Sequence, residues 1–157
     1  MEKINSINGA NIELILDDEE IFKVKTLNAL NKCDDLKNFE MIKSQNIYCS
    51  IDFLVINKYN LTSCYVEHKK KKITASNYNT FFIGFQKLIM IEAYYGQQKL
   101  FLVFDCDDDL YFCEYDNKFL KREKKIICGS KVIEIDKSEC GMGFDNFNKK
   151  LIETLTL

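Results

Sequence analysis

Two adjacent segments constrain the fold more than anything else in the chain: Ile47-Tyr48-Cys49-Ser50-Ile51-Asp52-Phe53-Leu54-Val55-Ile56 and Thr62-Ser63-Cys64-Tyr65-Val66-Glu67-His68-Lys69-Lys70-Lys71. Both alternate in a period of two and are rich in β-branched and aromatic residues, which predicts two strands, 47–56 and 62–71. A hairpin loop centred between Tyr59 and Asn60 makes facing residues sum to 119 and sets Asp52 opposite Glu67. Directly opposed residues of an antiparallel pair have Cβ atoms about 4.5–5.5 Å apart. One face then carries Ser50, Asp52, Tyr65, Glu67 and Lys69; the other carries Ile51, Phe53, Val55, Cys64 and Val66. A slip of one residue would take the acids out of alignment, so the alternation itself supports this register.

Opposed carboxylates repel. Either one of them holds a proton, or a cation bridges them. Mg²⁺ (or Mn²⁺) suits the second case, as a hard ion held through one or two carboxylates with the remaining positions taken by water. Lys69 lies one pleat beyond Glu67 on the same face. There it could orient a metal-bound water or stabilise charge on a phosphate. The plainer alternative is a half-exposed hairpin whose polar face carries an unremarkable Asp, Glu and Lys.

Around this hairpin the chain predicts further elements. A short hairpin is expected about Asn8-Gly9. Asp17 with Glu20 three residues on resembles a capping box and starts a helix from about 18 to 33. A short strand is expected at 39–44. Residues 78–95 are apolar almost all round and predict one buried or interface helix ending before Gly96, a possible surface for a homodimer. Residues 99–106 predict an interior strand, Asp107-Asp108-Asp109 a turn, and 110–116 a returning strand. A second hairpin about Gly129-Ser130 and a closing helix capped by Asp145 follow, and Gly141-Met142-Gly143 is expected to be a turn. The fold class is therefore α/β, a central mixed sheet flanked by helices.

The order helix, three strands, helix, strand, together with Asp52, fourteen intervening residues and Glu67-His68-Lys69, resembles the PD-(D/E)XK nuclease superfamily, the restriction-endonuclease-like and resolvase-like group. The resemblance spans about residues 18–115. It implies an αβββαβ core within a single domain, 1–157, with residues 116–157 as a C-terminal hairpin-and-helix appendage. It also implies a Mg²⁺-dependent nuclease acting on DNA. Asp52, Glu67 and the His68 carbonyl would hold the metal and Lys69 would stand beside the attacking water. Members often add an acid from the first helix; Glu20 is the candidate, with Glu19 its rival. Gln86 and Lys87, the polar interruptions of the following helix, would point at phosphates or else form its exposed edge. The residue before Asp52 is Ile51, where many members have proline.

The remaining residues narrow the function. Net charge is −2 and Arg122 is the single arginine, so contact with nucleic acid must come from a local lysine patch. Lys69 to Lys72, expected to leave the sheet beside the site, supply one, with Lys70 and Lys71 as phosphate contacts. His68 should face away from Glu67. The acids of Asp105 to Asp109 form a strand–turn–strand corner, lacking the glycine of a calcium loop, and are expected away from the site. Seven cysteines without C-x-x-C spacing and a single histidine argue against zinc and for reduced thiols. With no leader-like segment or membrane-length apolar run, an intracellular location is expected: cytoplasm or nucleus, or the interior of a host cell if the lysine- and asparagine-rich composition reflects a virus. The Asn60-Leu61-Thr62 sequon is then a chance match. The rival function is a catalytically inactive protein on the same scaffold, binding nucleic acid or serving as an assembly subunit.

Overall fold

The computed structural model describes residues 2–5, 11–14, 17–32, 38–43 and 51–156. Strands β1 (Glu2–Asn5) and β2 (Asn11–Leu14) pair antiparallel. The Asn8-Gly9 turn expected between them lies outside the described residues. The Asp17 carboxylate accepts a hydrogen bond from the Glu20 backbone N–H at 2.8 Å. That satisfies one of the free donors at the start of α1 (Asp18–Lys32), close to the predicted bounds. Phe22, Thr26 and Leu30 recur every fourth residue and form its buried stripe.

The main sheet has six strands: β3 (Phe39–Lys43), β4 (Phe53–Asn57), β5 (Thr62–Lys71), β7 (Leu100–Cys106), β8 (Leu110–Glu114) and β11 (Gly141–Met142). Their spatial order is β11-β8-β7-β5-β4-β3. Only β5 and β7 run parallel, and the crossover between them carries β6 (Thr80–Gly84) and α2 (Phe85–Tyr95). The sheet is thus mixed and flanked by helices, as the fold class requires. Strand β7 is buried on both faces. Phe101 and Val103 join Phe22, Phe53, Val66 and Phe147 under α1 and α3 (Phe144–Leu155). Leu102 and Phe104 join Phe81, Ile83, Leu88 and Ile91 on the α2 side. Burial on both faces is why 100–104 reads as a continuous apolar run.

Several expectations need correction. Residues 78–95 are not one helix. Thr80–Gly84 is a strand that pairs with β10 (Ser130–Asp136), itself hairpinned to β9 (Lys125–Ile127), giving a second, three-stranded sheet. Phe81 and Ile83 point inward while Phe82 is exposed. Because Phe81, Phe82, Ile83 and Phe85 are all apolar, this change of period leaves no trace in the sequence. The segment's exposed apolar side chains are Tyr78 and Phe82 before α2 and Ile89 and Tyr94 on it. The C-terminal hairpin turns at Cys128 and Gly129, both at positive φ, one residue earlier than expected. Gly143, at φ 97°, precedes α3 in place of Asp145, and Gly141-Met142 is a strand rather than a turn. A Cβ on Gly141 would lie 2.3 Å from the Phe112 ring, so the two strands meet closely there. The ladder of β4 begins at Phe53, and residues 47–50 of its expected span lie outside the described residues. Ile51 sits in the α2-side core, not with Phe53 and Val55, because the chain bends at Asp52 and breaks the alternation. The lysine run stays in the sheet: Lys70 pairs with Asp105 and Lys71 with Cys106. Among the described residues no helix is long and apolar enough to cross a membrane.

Candidate active site

Strands β4 and β5 pair in the expected register, from Phe53 opposite Val66 to Asn57 opposite Thr62. Past Phe53 strand β4 has ended and β5 continues for five more residues. At the bend, the Asp52 Oδ2 accepts a hydrogen bond from the His68 backbone N–H at 2.7 Å. A side chain thereby replaces the main-chain acceptor that a longer β4 would have supplied. This contact holds Asp52 beside Glu67.

Glu67 is 3% exposed. Its Oε1 lies 3.4 Å from Lys69 Nζ and its Oε2 lies 3.4 Å from Lys87 Nζ. Oε2 is buried and accepts no hydrogen bond among the described residues. Two ammonium groups from different elements, the end of β5 and the first turn of α2, therefore face one carboxylate. Asp52 has no such company. Burial first, and the Glu67 charge second, push its carboxyl up to about 7, against the pull of the His68 N–H.

Helix α1 brings Glu19, not Glu20, to Asp52. Glu19 raises the Asp52 carboxyl further, accepting from its protonated form and repelling its charged one. Its Oε2 also lies 3.3 Å from Lys43 Nζ on β3. Glu20 is one helical position, about 100°, further round, and its backbone N–H serves the cap. Lys87 reaches the acids, whereas Gln86 is exposed at the start of α2. Lys71 shares the face of Glu67 and Lys69; it is half-buried, with Nζ 3.4 Å from the Phe82 carbonyl. Burial, then the Lys69 charge, lowers its ammonium. Lys70 points to the opposite face, 3.9 Å from Asp105.

His68 faces away from Glu67, as strand parity predicts. Its ring stacks on Phe22 of α1 with centroids 4.3 Å apart, and Nε2 lies 2.9 Å from Asp105 Oδ2. Burial would raise the Asp105 carboxyl, but the His68 and Lys70 contacts outweigh it and hold it below the usual range. Asp105 thus backs the strand that carries the site, where the acids of 105–109 were expected to lie away from it. The signal was available in principle: a parallel partner strand puts Asp105 opposite Lys70. Asp108 does what a corner acid should, accepting the Ala75 backbone N–H at 2.7 Å.

Among the described residues no three His, Cys, Asp or Glu side chains gather into a metal-holding cluster. A pair of carboxylates is nonetheless a sufficient protein contribution for Mg²⁺, which keeps several waters. Asp52, strained by its neighbour's charge, and Glu67, with one oxygen unbonded, fit that requirement.

No family model and no curated protein matches the chain. Among solved structures, the fold is similar to Hjc, a Holliday junction resolvase from the archaeal hyperthermophile Archaeoglobus fulgidus. The TM-score is 0.48 at 14% sequence identity, over 83% of this chain and 92% of that one.

Proposed function

We propose that the chain is a Mg²⁺-dependent nuclease that hydrolyses phosphodiester bonds of DNA. One observation carries this reading: two carboxylates, Asp52 and Glu67, converge at the end of β5, where two lysines face Glu67 and leave one of its oxygens without a hydrogen bond. A scaffold with no chemistry to perform gains nothing from burying Asp52 beside Glu67, which costs stability.

Asp52 and Glu67 would hold the ion. Bound there, it supplies charge to neutralise the scissile phosphate and lowers the pKa of a coordinated water. The chain's own residues do the rest. The Asp52–His68 hydrogen bond fixes one carboxylate against the strand. Lys69 sits beside Glu67, close enough for its ammonium to orient a water and to stabilise negative charge developing on it. Lys87 approaches from α2 and can stabilise charge developing on the phosphate. Gln86 and the outer lysines Lys70 and Lys72 are left to grip the backbone of the substrate.

The test is cleavage of labelled single- and double-stranded DNA with Mg²⁺ or Mn²⁺, with EDTA and Glu67→Gln as controls. Metal-dependent cutting is expected, reduced at least about 100-fold in the variant. Absence of cutting by a folded protein whose Tm does not respond to Mg²⁺ would overturn the reading in favour of a non-catalytic binding or assembly subunit.

A further inference from the structure

Strand β11 is the edge of the main sheet and pairs only briefly with β8, Gly141 opposite Phe112 and Met142 opposite Tyr111. The Gly143 N–H donates to the Leu110 carbonyl at 2.7 Å, so the 143/110 position belongs to the hydrogen-bonded class. The classes alternate along an antiparallel ladder. Position 142/111 is then non-hydrogen-bonded, 141/112 hydrogen-bonded, and the next position outward non-hydrogen-bonded. Continued one residue past the start of β11, the register sets Cys140 opposite Cys113. Consistent with this, the Cys140 N–H turns away to the Lys137 carbonyl at 3.1 Å. Non-hydrogen-bonded pairs bring their side chains closest, with Cα atoms about 4.5 Å apart. That lies within the range a disulfide spans.

Both side chains also lie on the same face. Cys113 is buried in the α2-side core, and Cys140 is half-buried against it. The two thiols are free and pack together, and Cys140 Sγ itself donates to the Asp136 carbonyl at 3.8 Å. Cys140 lines an open cleft of about 550 Å³ shared with Tyr111, Lys137 and Met142, so a small oxidant can reach it. Cys64 and Cys106 are buried elsewhere and Cys128 is exposed on the C-terminal hairpin, with no thiol opposite it.

We propose that Cys113 and Cys140 are a peroxide-responsive dithiol whose oxidation staples the edge strand β11, and with it the start of α3, to β8. The Cys140 sulfur attacks hydrogen peroxide; an S–O bond forms, the O–O bond breaks and one water leaves, giving a sulfenic acid. The Cys113 sulfur then attacks Cys140 Sγ, forming the S–S bond, breaking S–O and releasing the second water with the Cys113 proton. Two thiols are oxidised by two electrons as one peroxide is reduced to two waters. The neighbouring Cys113 thiol, opposed by burial and by Glu139 and Asp136, holds the Cys140 thiol below its ordinary pKa, which favours it as the attacking sulfur.

The experiment is titration of the reduced full chain with hydrogen peroxide, followed by intact mass, tryptic mapping and thermal melting. Cleavage at Lys118 and at Lys131 or Lys137 separates the peptides of Cys113, Cys128 and Cys140. Expected are loss of two hydrogens, one cross-linked peptide pair containing Cys113 and Cys140, and a Tm higher by about 5–10 °C. A thiol reductant should reverse all three. Cys140→Ser should abolish them without changing the Tm of the reduced protein. Cys113→Ala, which keeps the buried site apolar, should leave Cys140 as a sulfenic acid. A peroxide-treated protein in which Cys113 still reacts with an alkylating agent after denaturation, or in which Cys140 is joined to another cysteine, overturns the proposal.

Discussion

Asp52 is the residue at which the site's requirements and the fold's stability pull apart. Its carboxyl, ordinarily near 3.8, is pushed up to about 7 by burial and by Glu67. Between these values the folded chain binds a proton that the unfolded chain has released. Stability therefore falls as the pH rises through that window, and the full penalty stands above it. Asp52→Asn removes the charge and keeps an oxygen to accept the His68 N–H. In EDTA at pH 8 the variant should be more stable than the parent by about 1–2 kcal/mol, after allowance for solvent screening. At pH 4 the two should be nearly equal. Urea denaturation at both pH values measures the difference. An equal or lower stability at pH 8 would mean that the two carboxylates do not repel in the folded chain. A residue whose removal stabilises the protein is one retained for something other than stability. The same residue shows where sequence was enough. The sum-of-119 register follows from alternation together with a loop centred between Tyr59 and Asn60, so the approach of Asp52 to Glu67 was legible. The choice of Glu19 over Glu20 was not. It depends on the azimuth of α1 against the sheet, which is set by Phe22, Thr26 and Leu30 seating in the core.

Among the elements, the β4–β5 loop does more than connect. Asn57 Nδ2, Asn60 Nδ2 and Thr62 Oγ1 all donate to the Leu155 carbonyl, at 2.8, 2.8 and 2.7 Å. One of the free acceptors at the C-terminal end of α3 is thus satisfied by the hairpin that carries the site. Asn60 Oδ1 in turn accepts from the Thr62 backbone N–H, and lies 2.6 Å from the Thr62 hydroxyl, whose one proton is shared between this oxygen and the Leu155 carbonyl. This use of Asn60 accounts for the sequon without any glycan. Asn60→Ala loses several bonds at once and should lower stability by about 1–2 kcal/mol. Asn57 and Thr62 would still hold the carbonyl, so Tm should fall without loss of helix by circular dichroism. An unchanged Tm would mean that water replaces the Asn60 amide at no cost. Strand β5 was legible from the alternation around Cys64 and Val66, and helix α1 from the Asp17 cap and the apolar positions that follow it. The β6–α2 boundary was not, because Phe81, Phe82, Ile83 and Phe85 are apolar under either period and Gln86 and Lys87 fit the exposed edge of a longer helix. The break there is Gly84 alone, and what makes Thr80–Gly84 a strand is β10, a partner about fifty residues away that no local pattern announces.

For the whole molecule, the decisive quantity is charge distribution. A chain with net charge −2 has no global field to draw in a polyanion, so the proposed nuclease needs a local lysine patch, and the proposed site puts it at the end of β5 and its surroundings. The structure ranks the lysines there. Lys72 is exposed, and Lys70 is exposed with a loose 3.9 Å contact to Asp105 that a phosphate can displace. Lys71 is half-buried, bonded to the Phe82 carbonyl, and its ammonium is lowered by burial and by Lys69. Each phosphate contact adds about 0.9 to the slope of log affinity against log salt for duplex DNA. Lys70→Ala and Lys72→Ala should therefore each weaken binding in EDTA and reduce that slope by about one. Lys71→Ala should reduce it less, because part of its charge is already spent on the protein. Fluorescence anisotropy of a labelled duplex over a salt series reads all three. Equal slopes in the parent and in the Lys70 and Lys72 variants would place the phosphate contacts elsewhere on the molecule. The dependence should also be independent of sequence, since ammonium groups on flexible stems meet phosphates as point charges and read no base edges. Discrimination among DNA substrates must then come from the shape of the surface around β5 and α2, and a second, shape-matched substrate with the same number of phosphate contacts should show the same slope at a different affinity.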